Sequence, residues 1–127
     1  MATLLLVDDD ADIRETYGLA LEDAGYEVIP ACTGAEALDK LRSGTKPDLI
    51  VLDQMMPMVN GREFRALQLS DPALAHVPVL LLTGALRLQP LVDDLMPVAA
   101  LQKPVGYTEL LAAIRGALRK AANERDS

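Results

Sequence analysis

At 127 residues, half of them apolar, the chain supports one compact core and not two. A formal net charge of −7 disfavours direct contact with nucleic acid or an anionic membrane surface, because long-range repulsion opposes both, and it points to a protein partner. The single cysteine, Cys32, excludes an internal disulfide, and the apolar run at 4–7 is too short for a membrane span or a secretory signal, so a reducing, cytoplasmic setting without membrane insertion is expected.

Short apolar runs alternate with stretches of helical period, and Gly, Pro or Asp stands between them. The first strand is predicted over Thr3–Asp8. A helix follows from Asp10 as N-cap to Ala24, with Ile13, Tyr17, Ala20 and Leu21 on one face and Gly25 as its stop. The second strand, Tyr26–Pro30, leads to a capping box, Thr33-Gly34-Ala35-Glu36, which opens a helix that Gly44 ends before Pro47. The third strand spans Asp48–Asp53, and its helix starts after Asn60-Gly61 and ends near Asp71-Pro72. The fourth strand is Pro78–Leu82. Between Thr83 and Val98, Pro90 and Pro97 leave room for only about two turns, so the fourth helix is expected to be short or irregular. Ala99–Gln102 forms the fifth strand, and the last helix runs from about Thr108 to Ala121 with Leu110, Leu111, Ile114 and Leu118 inward. The domain is placed at 1–122, with a polar tail at 123–127 expected to fray.

Three of the strands are unbroken Leu/Val/Ile runs, as strands covered by helices on both faces require. The fold class is therefore α/β, a doubly wound parallel (βα)5 sheet. In such a sheet ligands bind beyond the carboxyl ends of the strands, where the strand order reverses. The first strand ends in Asp8-Asp9-Asp10, the third in Asp53, the fourth in Thr83 and the fifth in Lys103-Pro104. In a 2-1-3-4-5 order Asp8 and Asp9 would lie beside Asp53, Thr83 on its other flank, and Lys103 two strand spacings away, roughly 10 Å. Converging carboxylates repel by about 4 kcal/mol per close pair at an effective dielectric near 20, so a cation must compensate. Mg²⁺, a hard ion held by carboxylate oxygens and water, suits that donor set. A carboxylate so placed can attack phosphorus to give an aspartyl-phosphate, with the metal and Lys103 neutralising the transferring group and Thr83 donating a hydrogen bond to it. A cis peptide before Pro104 would aim Lys103 inward.

The segments LLLVDDDADIRE at 4–15, PDLIVLDQMMPMVNGREF at 47–64, DPALAHVPVLLLTG at 71–84 and QKPVGYTEL at 102–110 resemble the response-regulator receiver domains of two-component signalling, and the likeness covers nearly the whole chain. The resemblance implies a flavodoxin-like sheet of order 2-1-3-4-5 and makes Asp53 the phosphoacceptor. By it Asp9 is a direct metal ligand, Asp8 a ligand largely through water, the Met55 backbone carbonyl a further ligand, Thr83 the switch hydroxyl and Lys103 the phosphate-binding lysine. It also implies a phosphoryl donor, a phosphohistidine on a sensor kinase or phosphotransfer protein, and a protein output partner that reads the surface of the fourth and fifth helices and the fifth strand. Such a domain catalyses only its own phosphorylation and dephosphorylation. Because an effector domain is not recognisable in the 127 residues, the chain is expected either to act alone or to be a piece of a longer one.

The sequence departs from the family pattern in three places. Ala100 stands where an aromatic switch residue is usual, Gly84 where alanine is usual, and the stretch from Thr83 to Lys103 is short and broken by Pro90 and Pro97. The usual threonine–aromatic relay cannot then operate unaltered. A degenerate receiver used only for docking is the first alternative, and the intact Asp8/Asp9/Asp53/Thr83/Lys103 set argues against it. A haloacid-dehalogenase-type phosphatase lacks support because Asp53 is followed by Gln54 and Met55 rather than by the Asp-x-Asp signature. A flavin carrier is opposed by the acidic loop after the first strand. Asp10 and Asp12 are assigned to helix capping, Met55, Met56 and Met58 to packing, His76 to an exposed loop, and Cys32 to a buried, inert position.

Overall fold

The computed structural model describes residues 2–53, 61–72, 74–83, 97, 99–102 and 106–126, with the backbone alone described for Asp53, 61–63, Thr83, Gln102 and 123–126. Five strands, β1 (Thr3–Val7), β2 (Glu27–Ala31), β3 (Leu49–Asp53), β4 (Val79–Thr83) and β5 (Ala99–Gln102), form one parallel sheet in the order β2-β1-β3-β4-β5. The described helices are α1 (Ala11–Asp23), α2 (Gly34–Arg42), α3 (Gly61–Leu69) and α4 (Tyr107–Asp126). The helix expected between Thr83 and Val98 lies outside the described residues, as does the Lys103–Pro104 peptide.

Successive residues of a strand face opposite sides, and the unbroken apolar runs therefore feed two cores. Leu5, Val7, Ile50, Leu52 and Val79 pack against Ala37, Leu38 and Leu41 of α2 and Phe64 of α3. Leu4, Leu6, Leu49, Val51, Leu80 and Leu82 pack against Leu21 of α1 and Leu110, Ile114 and Ala117 of α4. Each such leucine, taken fully from water, stabilises by about 1.5–3 kcal/mol. β2 is an edge strand, and that is how it accommodates Pro30, which has no N–H to give to a ladder.

Helix ends follow local chemistry. The Asp10 carboxylate accepts from the Asp12 and Ile13 amides at 3.0 and 3.3 Å and so caps α1. At the other end Gly25 takes φ +101°, its N–H donates to the Glu22 carbonyl and that of Tyr26 to the Leu21 carbonyl. Gly44, at φ +109°, closes α2 in the same way with Thr45. Both are left-handed positions that a side chain strains.

Several expectations need correction. The last helix extends past the expected end at Ala121 to Asp126, in keeping with the absence of glycine or proline among residues 122–126. Cys32 is exposed because it lies just past the end of an edge strand, where only one neighbour can cover it. The capping box is half as expected. Thr33 Oγ1 accepts from the Glu36 amide at 3.0 Å, but the Glu36 carboxylate reaches one residue further back and accepts from the Cys32 amide at 3.0 Å. Four of the five strands differ from the expected limits by one residue, two of them at one end and two at both, within the ordinary ambiguity of strand limits.

Candidate functional site at the carboxyl ends of the strands

The chain leaves β1 in one direction for β2 and returns across it for β3, so the order reverses between β1 and β3 and opens a crevice at their carboxyl ends. A clasp at the opposite end sets the register there: the Asp48 amide donates to the Thr3 carbonyl at 2.7 Å, and the Thr3 amide to Asp48 Oδ2 at 2.8 Å. Val7 is thereby paired with Leu52, and the next residues, Asp8 and Asp53, come side by side. Asp53 in turn pairs with Leu82, so Thr83 stands one step further along the neighbouring strand; Thr83 pairs with Gln102, and Lys103 is the residue after it. Parallel register has thus brought together the backbone positions of Asp8, Asp53 and Thr83, with the end of β5 beyond them. The side chains of Asp53 and Thr83, and all of Met55 and Lys103, lie outside the described residues.

Asp8 and Asp9 lie among the described residues with their side chains. Asp8 is only 1% exposed, and a carboxylate so buried needs partners. Its amide extends the pairing to β2 by donating to the Ala31 carbonyl at 3.1 Å, and its Oδ1 accepts from the Asp10 amide at 3.0 Å. Its carbonyl accepts from the Arg14 guanidinium at 2.7 Å. Asp9, by contrast, is exposed. Among the described side chains no three His, Cys, Asp or Glu groups stand together as a metal cluster, and the third carboxylate expected, that of Asp53, is not one of them. The donor chemistry of the corner still fits a hard divalent cation: one buried and one exposed carboxylate adjoin a strand ending in a third aspartate, a set of hard oxygen donors.

Beside this corner, Cys32 Sγ donates to Glu36 Oε2 at 2.8 Å, and Lys40 approaches Glu36 Oε1 at 3.3 Å. The Lys40 ammonium also donates to the Pro30 carbonyl. The two Cys32 donors, and then Lys40, hold the Glu36 carboxyl down to about 2, while the hydrogen bond to Glu36 pushes the Cys32 thiol up. Cys32 is therefore a thiol rather than a reactive thiolate. Arg14 is not among the residues that the sequence singles out. Its signal was a basic residue in the first turn of a helix, where the helix dipole disfavours positive charge unless the residue has another task.

A family model for the response regulator receiver domain matches residues 4–115. The chain is 37% identical to a transcriptional regulatory protein CpxR homolog of Haemophilus influenzae over 97% of its own length and 53% of the relative's. It is 35% identical to the phosphate regulon transcriptional regulatory protein PhoB of Pseudomonas aeruginosa over 93% of its length and 52% of that protein's. It thus spans about half the length of the curated relatives it matches. Among solved structures it superposes on chemotaxis response regulator CheY4 of Vibrio cholerae with a TM-score of 0.85 and 32% identity, covering 92% of this chain and 98% of that one. A CheY-like receiver domain from Methanospirillum hungatei gives 0.85 and 28%, with 98% of each chain covered.

Proposed function

We propose, since this chain belongs to the response-regulator receiver family, that it is a phosphoacceptor switch in which Asp53 takes a phosphoryl group from a phosphohistidine and partner binding changes as a result. The observation that carries the reading is the parallel register that sets Asp53 between the Asp8–Asp9 corner and Thr83 at the point where the strand order reverses. In the reaction a carboxylate oxygen of Asp53 bonds to phosphorus while the phosphorus–nitrogen bond of the donor breaks, and the imidazole leaves with the electron pair and gains a proton. Asp9, Asp53 and the Met55 carbonyl would hold a Mg²⁺ ion directly, and Asp8 through water. The ion, when bound, offsets negative charge on the transferring group. Lys103 then contacts the phosphoryl oxygens as a second cation, and Thr83 donates its hydroxyl to one of them.

The donor is a sensor kinase or phosphotransfer protein, and the output partner is a protein, in keeping with the −7 charge. Two of the relatives are transcriptional regulators by name, and the part of them matched here is about half their length. The surroundings are cytoplasmic. Among the described residues no helix is long and apolar enough to cross a membrane.

Intact-mass measurement after treatment with a small phosphodonor tests the reading. One phosphoryl group should be added in the presence of Mg²⁺, none with chelator, and none in Asp53→Asn. Full labelling of Asp53→Asn would overturn the assignment, and no labelling of the unaltered chain would favour a docking module that works without phosphorylation.

A further inference from the structure

We infer that Arg14 is a positioning residue for the cation site: by holding the Asp8 carbonyl it fixes the Asp8–Asp9 peptide, and with it the direction in which the exposed Asp9 carboxylate is presented. The inference rests on the reading of this corner as a divalent-cation site and goes beyond it to a residue outside the acidic set.

The geometry points to Arg14 from both ends of the turn. Its backbone amide donates to the Asp10 carbonyl at 2.9 Å, the first hydrogen bond of α1, while its guanidinium turns back and donates to the Asp8 carbonyl at 2.7 Å. One residue therefore brackets the turn that contains Asp9. Asp8 is anchored on its other side as well, through its amide to Ala31 and its carboxylate to the Asp10 amide. Asp9 has an exposed side chain between two tethered neighbours, and the orientation of the peptide joining it to Asp8 sets where that side chain starts. A charged donor on a carbonyl is among the stronger hydrogen bonds, and groups that orient a metal ligand commonly matter almost as much as the ligand.

A second effect of Arg14 has the opposite sign. Its positive charge lies against the corner, 2.7 Å from the Asp8 carbonyl, and repels an incoming cation, so removing it would tighten binding if electrostatics alone counted. The two effects make opposite predictions, and the partial burial of the guanidinium–carbonyl bond favours the positioning role.

The test uses the whole chain and Mg²⁺ or Mn²⁺ alone, titrated by calorimetry and by the resonance of free Mn²⁺. Arg14→Met keeps the stem and loses donor and charge; its affinity should fall by about tenfold or more. Arg14→Lys keeps a donor that can reach the carbonyl and should recover most of that loss, a rescue that a change in fold stability would not produce. Amide resonances of Asp9 and Asp10 should shift in cation-free Arg14→Met, and the rest of the spectrum reports that the fold is retained. Should that variant not fold, Arg14→Gln, polar but too short to reach, stands in its place. Binding equal to or tighter than that of the unaltered chain would overturn the inference while leaving the cation site standing. No binding by the unaltered chain would instead overturn the reading of the site, and the inference with it.

Discussion

Replacing Gln68 by alanine should cost this domain a large part of its stability. Gln68 is wholly buried, and its amide makes three bonds. Nε2 donates to the Leu74 and Val77 carbonyls, both at 2.9 Å, and Oε1 accepts from the Arg65 guanidinium at 2.8 Å. Arg65 is itself 7% exposed, and burial pulls its guanidinium below the ordinary arginine range. Two neutral bonds at about 1 kcal/mol each and one charge-assisted bond at about 2 kcal/mol give a loss of about 4 kcal/mol. The side chain ties the end of α3 to the turn at 74–77 that feeds β4, so the loss falls on the strand that ends in Thr83. Urea unfolding followed by far-ultraviolet dichroism measures it. Gln68→Glu, which keeps an acceptor for Arg65 but sets a carboxylate against two carbonyls, should be no more stable than the alanine variant. A loss under about 1 kcal/mol for Gln68→Ala, within the range of an ordinary surface change, would show that this network does not fasten the turn.

Asp9→Ala should weaken Mg²⁺ binding with little change in stability, whereas Asp10→Ala should lose about 1 kcal/mol through the missing α1 cap and leave Mg²⁺ binding nearly intact. Equal losses of affinity in the two variants would mean that the acidic run has been read in the wrong register. Glu36, held down to about 2 from an ordinary 4.5, contributes stability that is present above pH 4.5 and lost as pH falls towards 2. Because the cluster is largely exposed, that contribution is about 1 kcal/mol or less. Glu36→Gln should therefore be slightly less stable than the unaltered chain at neutral pH, with the gap closing in acid unfolding series between those limits; a gap that widens in acid would contradict the linkage. The same substitution should bring the Cys32 thiol back down towards its usual range, which the pH dependence of alkylation by a maleimide would reveal.

Wherever the governing forces are local, the chain already shows the outcome. Unbroken runs such as Leu4–Val7 and Leu49–Leu52 are strands because only a sheet covered on both faces can bury every residue in them. Gly25 and Gly44 stop helices because each adopts a positive φ that side chains resist. Asp10 and Thr33 cap because a short side-chain oxygen can reach amides two or three residues on. Strand-end acids could be picked out by the same means, since a carboxylate that ends a buried run is already placed at the edge of a core.

Relations between elements distant in the chain were decided only by the tertiary structure. Whether Asp8 would be buried and Asp9 exposed depends on the strands that flank β1, and so does the exposure of Cys32 at the sheet edge. That the Glu36 carboxylate accepts from the Cys32 amide rather than from the Thr33 amide, that Arg14 turns back to the Asp8 carbonyl, and that Gln68 gathers two backbone carbonyls from another turn are choices among partners that are all close enough. Propensity and hydrophobic period register what a residue does to its own turn or strand. Which polar partner it takes depends on which groups the packed sheet leaves without water, and that is settled only when strands from distant parts of the chain have come into register.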